Sequence, residues 1–241
     1  MLEGLYSSAA GMTAQQQRID VVANDLANVS TAGYKKARAS FRDLAYAAER
    51  TGNGVRAGAG SAMAMASRSQ AAGAIQETGQ PFDLAIVGDG FIQVRRPDGT
   101  TGLTRQGALR LAEDGNLVTA NGDRLQPPVR IPAGVDPAGV SIAEDGTVSG
   151  GGQQIGRITL RDVPAPAGLM DVGGSVSVAT AASGDIRNAT GTMRQGALEQ
   201  SNVEMADAMA ELVEAQRAFS MASKALQNQD SMMEIANQVK R

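Results

Sequence analysis

An α+β fold is predicted for this chain: N- and C-terminal helices paired as a coiled coil, with a central, mainly antiparallel β module between them. Three observations predict it. Both ends carry an apolar repeat of seven residues: Leu5, Met12, Ile19 and Leu26 at the front, and Met205, Leu212, Phe219, Leu226 and Met233 at the back. The middle alternates short apolar runs with Asp-Gly and Asn-Gly pairs, and after Gly196 neither Gly nor Pro occurs again. A strict repeat of seven keeps its stripe on one side only if helices wrap around one another.

Residues from about Leu2 to Val29 read as an amphipathic helix, with Leu2, Ala9 and Ala23 beside the stripe and Gln16 as its polar exception. Gly4 and Gly11 weaken its first turns by about 1 kcal/mol each relative to Ala. The Ser30-Thr31-Ala32-Gly33 segment predicts the stop, with Gly33 suited to a left-handed C-cap. Residues 34–80 read as a linker or extended arm. They begin with a basic cluster of Lys35, Lys36, Arg38 and Arg42, taken as a solvated face, and become rich in Ala, Gly and Ser from Thr51 to Gly73.

Residues 81–198 read as the β domain with an irregular return segment. Strand signals at Leu84, Ile86 and Phe91-Ile92-Gln93-Val94 are followed by the turn chemistry of Pro97-Asp98-Gly99, Asp114-Gly115-Asn116, Asn121-Gly122 and Asp145-Gly146. The last segment, 199–241, reads as a second helix from about Asn202 to Val239. Ser201 and Glu204 fit a capping box, Asp207 suits the positive end of the dipole, and Lys240 and Arg241 suit the negative end. Ala208, Ala215, Ala222, Gln229 and Ala236 follow the large seam residues three places on, and the small size of the four alanines permits close helix approach. The N-terminal helix, 1–33, is the natural partner of this one.

Composition removes most chemistry. Among 241 residues there is no His, Cys or Trp. That excludes His-based acid–base catalysis, thiol nucleophiles, zinc sites of His or Cys, and disulfides. The net charge of −3 and 3% aromatic content offer neither a basic field nor stacking platforms for nucleic acid. No apolar run reaches the roughly 18 residues of a membrane span, and the first residues lack a basic and apolar leader pattern. Composition leaves catalysis by carboxylates, Lys or Ser open; the expectation is no cofactor, no metal, no nucleic-acid partner and no membrane insertion.

The remaining candidates have plainer readings. Gly88-x-Gly90 lacks the third glycine of a dinucleotide loop, since Gln93 stands there, and reads as a tight turn. Asp114-Gly115-Asn116 lacks the rest of a calcium loop and reads the same way. No spacing rule singles out Asp83, Asp89 or Asp98 as a catalytic pair. Met205 and Met233 lie on the seam, whereas Met209 and Met221 lie off it and are candidates for contacts with further neighbours.

The segment Val22 to Lys35, with Asn24, Leu26, Ala27, Asn28, Ser30, Gly33 and Tyr34, closely resembles the N-terminal signature of the bacterial flagellar rod and hook proteins. Asp25 stands where that family usually has a second Asn. Asp83 to Phe91, with Gly88, Gly90 and Phe91, is similar to the family's central motif. Thr104-Arg105-x-Gly107 and Gly115-x-Leu117-Val118-Thr119 continue it. Ser201-Asn202-Val203, Gln216-Arg217-Ala218-Phe219 and Ser223-Lys224 are similar to its terminal helix. The resemblance implies a structural, axial subunit of the basal-body rod, a helical polymer that transmits torque and encloses the export channel. It implies as partners other copies of the chain, adjacent rod and hook proteins, the flagellar export apparatus and the bushing rings around the rod. It also implies export without cleavage, and an inner layer built from the heptad residues of both ends. One β-module fits the longer rod proteins, and the terminal helix is similar to the distal type, so the resemblance implies a distal rod protein that is not an enzyme; the alternatives are a proximal rod protein of similar size, a hook-type axial protein and, more remotely, a free coiled-coil scaffold.

Overall fold

The computed structural model describes residues 2–44 and 60–239, with the side chains of 2–5, 65, 66, 236, 237 and 239 left aside. The chain forms two compact units. One comprises Met1–Ala27, Ala37–Arg68 and Glu204–Arg241; the other comprises Asn28–Lys36 and Ser69–Val203.

The first unit is built on two helices, α1 (Leu2–Ala27) and α2 (Met205–Val239), and two strands, β1 (Ala37–Asp43) and β2 (Ser61–Arg68). The fold is thus α+β, with the N-terminal helix packed against the C-terminal one. α1 ends two residues before its expected stop, because Asn28 and Thr31 take over the local hydrogen bonds. The Thr31 N–H donates to the Asn28 carbonyl at 3.1 Å and its hydroxyl to the Asn28 side chain at 3.1 Å. Such short polar side chains compete with helical bonding. Gly33 does adopt φ +69°, yet it is not the helix cap. A Cβ there would lie 2.7 Å from the backbone of Arg105, so close approach of two chain segments demands the glycine.

α2 begins three residues later than expected. Ser201 does not cap it: the Ser201 hydroxyl accepts from the Val203 N–H at 3.2 Å, and the first helical bond runs from Ala208 N–H to the Glu204 carbonyl at 2.9 Å. Residues 201–203 are committed to the strand unit instead. At 35 residues α2 is about 52 Å long. Lys240 and Arg241 lie outside the described residues. β1 and β2 pair antiparallel from Ala37↔Arg68 to Asp43↔Ser61, with an irregularity between Ser40 and Phe41. They pack on α1, in a stretch whose composition shows little strand periodicity.

The second unit is antiparallel throughout. Its first strands are β3 (Ile75–Glu77), β4 (Leu84–Val87), β5 (Phe91–Arg95), β6 (Thr101–Thr104), β7 (Leu109–Leu111), β8 (Leu117–Thr119) and β9 (Arg124–Leu125). There follow β10 (Ser141–Ile142), β11 (Thr147–Gly150), β12 (Gln153–Arg157), β13 (Leu160–Asp162), β14 (Met170–Asp171), β15 (Val176–Val178) and β16 (Arg187–Asn188). The last are β17 (Thr192–Gln195) and β18 (Ala197–Glu199). The main sheet runs β14-β15-β6-β5-β9-β8-β7, with β13 and β16 attached beside β5, and β10-β11-β12 form a meander of their own. β4 pairs with β17 and β3 with β18, so the chain enters and leaves this unit side by side. Leu84, Ile86, Ile92, Val94, Leu117, Val129, Val148, Ile158 and Met193 belong to one buried core, which matches the apolar runs between the turns.

Candidate functional site

The expected turns are turns. The Asp98 carboxylate accepts from the Thr100 N–H at 2.8 Å and from its hydroxyl, Asp114 from the Asn116 N–H at 3.1 Å, and Asp145 from the Thr147 N–H at 3.0 Å. Hydrogen bonds to the residue two places on hold all three carboxyls below the usual aspartate range. Their oxygens are spent on the chain, and no group of three acidic side chains gathers to hold a metal among the described residues.

The heptad residues divide into two classes. Ala208 and Ala215 are fully buried on the helix that packs against α1. Met12, Ile19, Leu26, Leu212, Phe219, Ala222, Leu226, Gln229 and Met233 are only half-buried, and Met205 is 49% exposed. The side chains of Leu5 and Ala236 lie outside the described residues. Met209, Val213, Met221, Met232 and Ile235 stand exposed on α2, Met221 at 65%. Arg18 and Glu214 join the two helices at 3.3 Å, a solvated pair worth little.

α1 has a second working face, and its apolar stripe alone does not announce it. Ala14, Val22 and Asp25 are buried. They lie eight and eleven residues apart on one side of the helix, and α1 packs on both β1 and β2. The Asp25 carboxylate accepts from the Ala37 N–H with both oxygens, at 3.0 and 3.2 Å, and so fixes the first residue of β1. A Cβ on Gly60 would lie 2.9 Å from that of Ala10, which explains a glycine at the entry to β2.

In the strand unit the signature residues converge on one buried ionic cluster. Glu199 Oε1 accepts from Lys35 Nζ at 2.6 Å and from the Gly73 N–H at 2.9 Å, and Oε2 accepts from Arg105 Nε at 2.8 Å. Lys35 also donates to the Ala71 carbonyl at 2.7 Å. Arg105 donates onward to the carbonyls of Gly90 and Gly88 at 3.2 and 3.0 Å, and its guanidinium lies 5.9 Å from the Phe91 ring centre. The Gly33 N–H donates to the Glu199 carbonyl at 2.7 Å. Tyr34 is buried beside it in the chain, and Gly107 lies so near Leu84 that a Cβ would overlap its carbonyl. Lys35 is therefore no part of a solvated face. One carboxylate thus serves two cations. Burial would raise the Glu199 carboxyl, but Lys35 and Arg105 outweigh it and hold it below the usual range. Burial lowers the Lys35 amine, and Arg105 adds to that.

Glu199 itself does not stand out in the sequence. A lone acid ending a short strand carries no pattern. The available signal was Lys35 following the motif Gly33-Tyr34 and the Thr104-Arg105 pair, both cations requiring an anion once buried. Among the other signature residues, Asn24, Ala27, Ser30, Gln216 and Arg217 lie on the surface, and Asn28 is half-buried.

Three stretches match known families: residues 5–35 the flagella basal body rod protein, 85–150 the flagellar hook protein FlgE/F/G D1 domain, and 194–239 the flagellar basal body rod FlgEFG protein C-terminal region. A "Flagellar basal-body rod protein FlgG" of Borreliella burgdorferi is 38% identical, with all of both chains covered. The chain belongs to the flagellar basal-body rod protein family. Another relative of the same name, from Buchnera aphidicola subsp. Acyrthosiphon pisum, is 33% identical over 99% of this chain and 100% of its own. A "Flagellar basal-body rod protein FlgF" of Mesorhizobium japonicum is 28% identical over 91% and 90%. As a basal-body rod protein the chain is a structural component of the flagellum and not an enzyme. No helix among the described residues is long and apolar enough to cross a membrane.

Proposed function

We propose that this chain polymerises with itself through its terminal helices, forming the distal part of the rod as a tube that carries torque and encloses an export channel. The supporting observation is the apolar surface that pairing within one chain leaves uncovered. Met205, Met209, Val213, Met221, Met232 and Ile235 remain exposed on α2 after α1 has docked. Scattered apolar residues are ordinary on a surface, but six on one helix, spread over about half its circumference, are apolar surface that neighbouring helices would cover. In this reading the half-buried heptad residues become fully buried in the polymer, and the helix pair becomes one element of a coiled-coil inner layer.

The distal position is favoured over the proximal one because likeness to proteins named FlgG extends over the whole chain and exceeds that to the one named FlgF. The neighbours are then other rod and hook proteins, the ring proteins around the rod and, during delivery, the flagellar export apparatus. Met209→Asp and Met221→Asp test the reading. Each charge sits in water in the free chain but is buried in the polymer. The expected result is a purified chain with unchanged circular dichroism, non-swimming cells, and isolated basal bodies whose rods stop short in electron micrographs. Full-length rods with both substitutions present would refute it.

A further inference from the structure

Three chain segments far apart in sequence meet at Glu199. Residues 33–36 bring Lys35, residues 69–73 bring the Ala71 carbonyl and the Gly73 N–H, and residues 199–202 bring the carboxylate. Asn202 joins the same three again. Its side-chain oxygen accepts from the Lys36 N–H at 2.6 Å, and its amide donates to the carbonyls of Ala71 at 2.8 Å and Ser69 at 3.4 Å. None of these residues belongs to the two buried apolar clusters of the strand unit, which run from Leu84 to Met193. The sheet supplies one group to the junction, Arg105, and holds it independently through Gly88, Gly90 and Phe91.

We propose that this junction is an all-or-none ionic clasp: the three segments dock on the strand unit together, and the Glu199 carboxylate is the group without which none of them stays docked. Without that carboxylate, the buried Lys35 amine and Arg105 guanidinium lose the anion that both contact. Arg105 is pinned by the sheet, so the strain is relieved by Lys35 returning to water with its segment. The departure of Lys35 strips the Ala71 carbonyl of one donor, and Gly73 has already lost its acceptor. The middle segment is then held only by Asn202 and its few backbone bonds. Removing Lys35 is milder, because Glu199 keeps Arg105 and the Gly73 N–H.

Hydrogen exchange of the purified full-length chain, read by mass spectrometry, tests the clasp. In Glu199→Gln the amides of Gly33, Gly73, Gln200 and Asn202 should all exchange faster, by more than about tenfold, while those of Leu117 and Ile158 hold their wild-type rates. In Lys35→Met the same amides should speed up together but by less. Loosening confined to Gly73, the carboxylate's immediate neighbour, would show that Tyr34 and Val203 anchor the segments by packing, and would overturn the proposal. Equal acceleration at Leu117 and Ile158 would overturn it too, since Glu199 would then hold up the whole unit. An effect of Lys35→Met as large as that of Glu199→Gln would remove the special role of the carboxylate. Should Glu199→Gln fail to fold, Glu199→Asp, one methylene shorter, carries the same comparison, with joint loosening expected and loosening at Gly73 alone against it.

Discussion

The Glu199 side chain is 1% exposed, and everything that faces it is cationic or an N–H: Lys35, Arg105 and the Gly73 amide. Its carboxyl is held below the ordinary glutamate value of about 4.3. Between the folded and the ordinary value the unfolded chain therefore binds more protons, so stability rises with pH there. The contribution is fully present above about pH 4.3 and is lost as pH falls through the folded value. Lys35 is also lowered, so just below its ordinary value of about 10.4 the unfolded chain again holds more protons. Stability rises with pH in that window as well, and loss of the lysine proton does not open the cluster. In hydrogen exchange across a pH series, opening at the Gly73 and Asn202 amides of Glu199→Gln should be easier at neutral pH by about 3 kcal/mol, the usual cost of breaking a buried pair from one side. The gap to wild type should narrow on the acid side as the wild-type carboxyl protonates. A gap unchanged down to pH 2 would mean that the carboxylate's charge contributes nothing. The residues that build this cluster were visible one by one, Gly33, Tyr34, Lys35, Arg105, as parts of a resemblance. Their meeting point was not, because pairing across 164 residues leaves no periodic trace.

At the scale of elements, α1 and α2 were readable because a seven-residue repeat and a Gly- and Pro-free tail are local signals. The β1–β2 pair was not, because its strands draw their partners from α1 and from each other instead of from alternating apolar residues; the burial along β1 is almost wholly outward. The start of α2 was missed for a related reason. Ser201 and Glu204 satisfy the capping rule in sequence, but Asn202 and Val203 are held by the strand unit and unwind that turn. The interior of the helix pair leads to a prediction distinct from that for its exposed face. Ala215 has no exposed surface, so Ala215→Leu must push α1 and α2 apart, at a cost of about 1–3 kcal/mol. Leu212→Asp and Phe219→Asp place a charge at half-buried positions of the same pair. All three should lower the helical signal of the free chain while the exchange of strand-unit amides near Ile86 stays at its wild-type rate. Unchanged helicity in all three would mean that packing between α1 and α2 contributes nothing to their formation.

The whole chain divides its burial unevenly. The strand unit carries a core of large aliphatic side chains, whereas among the described residues of α2 only Ala208 and Ala215 are fully buried. A helix of that composition gains little from one partner, and isolated helices in water are marginal. Burying a large side chain stabilises by roughly 1.5–3 kcal/mol only if the burial is complete, and the seam residues Ile19, Phe219 and Leu226 are left half-covered. The free subunit should therefore have a firm strand unit and weakly protected helices, with ordering completed when further stripes meet. Hydrogen exchange on dilute monomer should show amides near Ile19 and Leu226 exchanging much faster than those near Ile86, and limited proteolysis should cut the helices first. Addition of assembled rod fragments should slow the helical amides and leave the strand amides alone. If the helices are as protected as Ile86 in the dilute monomer, the pair is stable on its own, and assembly is the docking of finished parts.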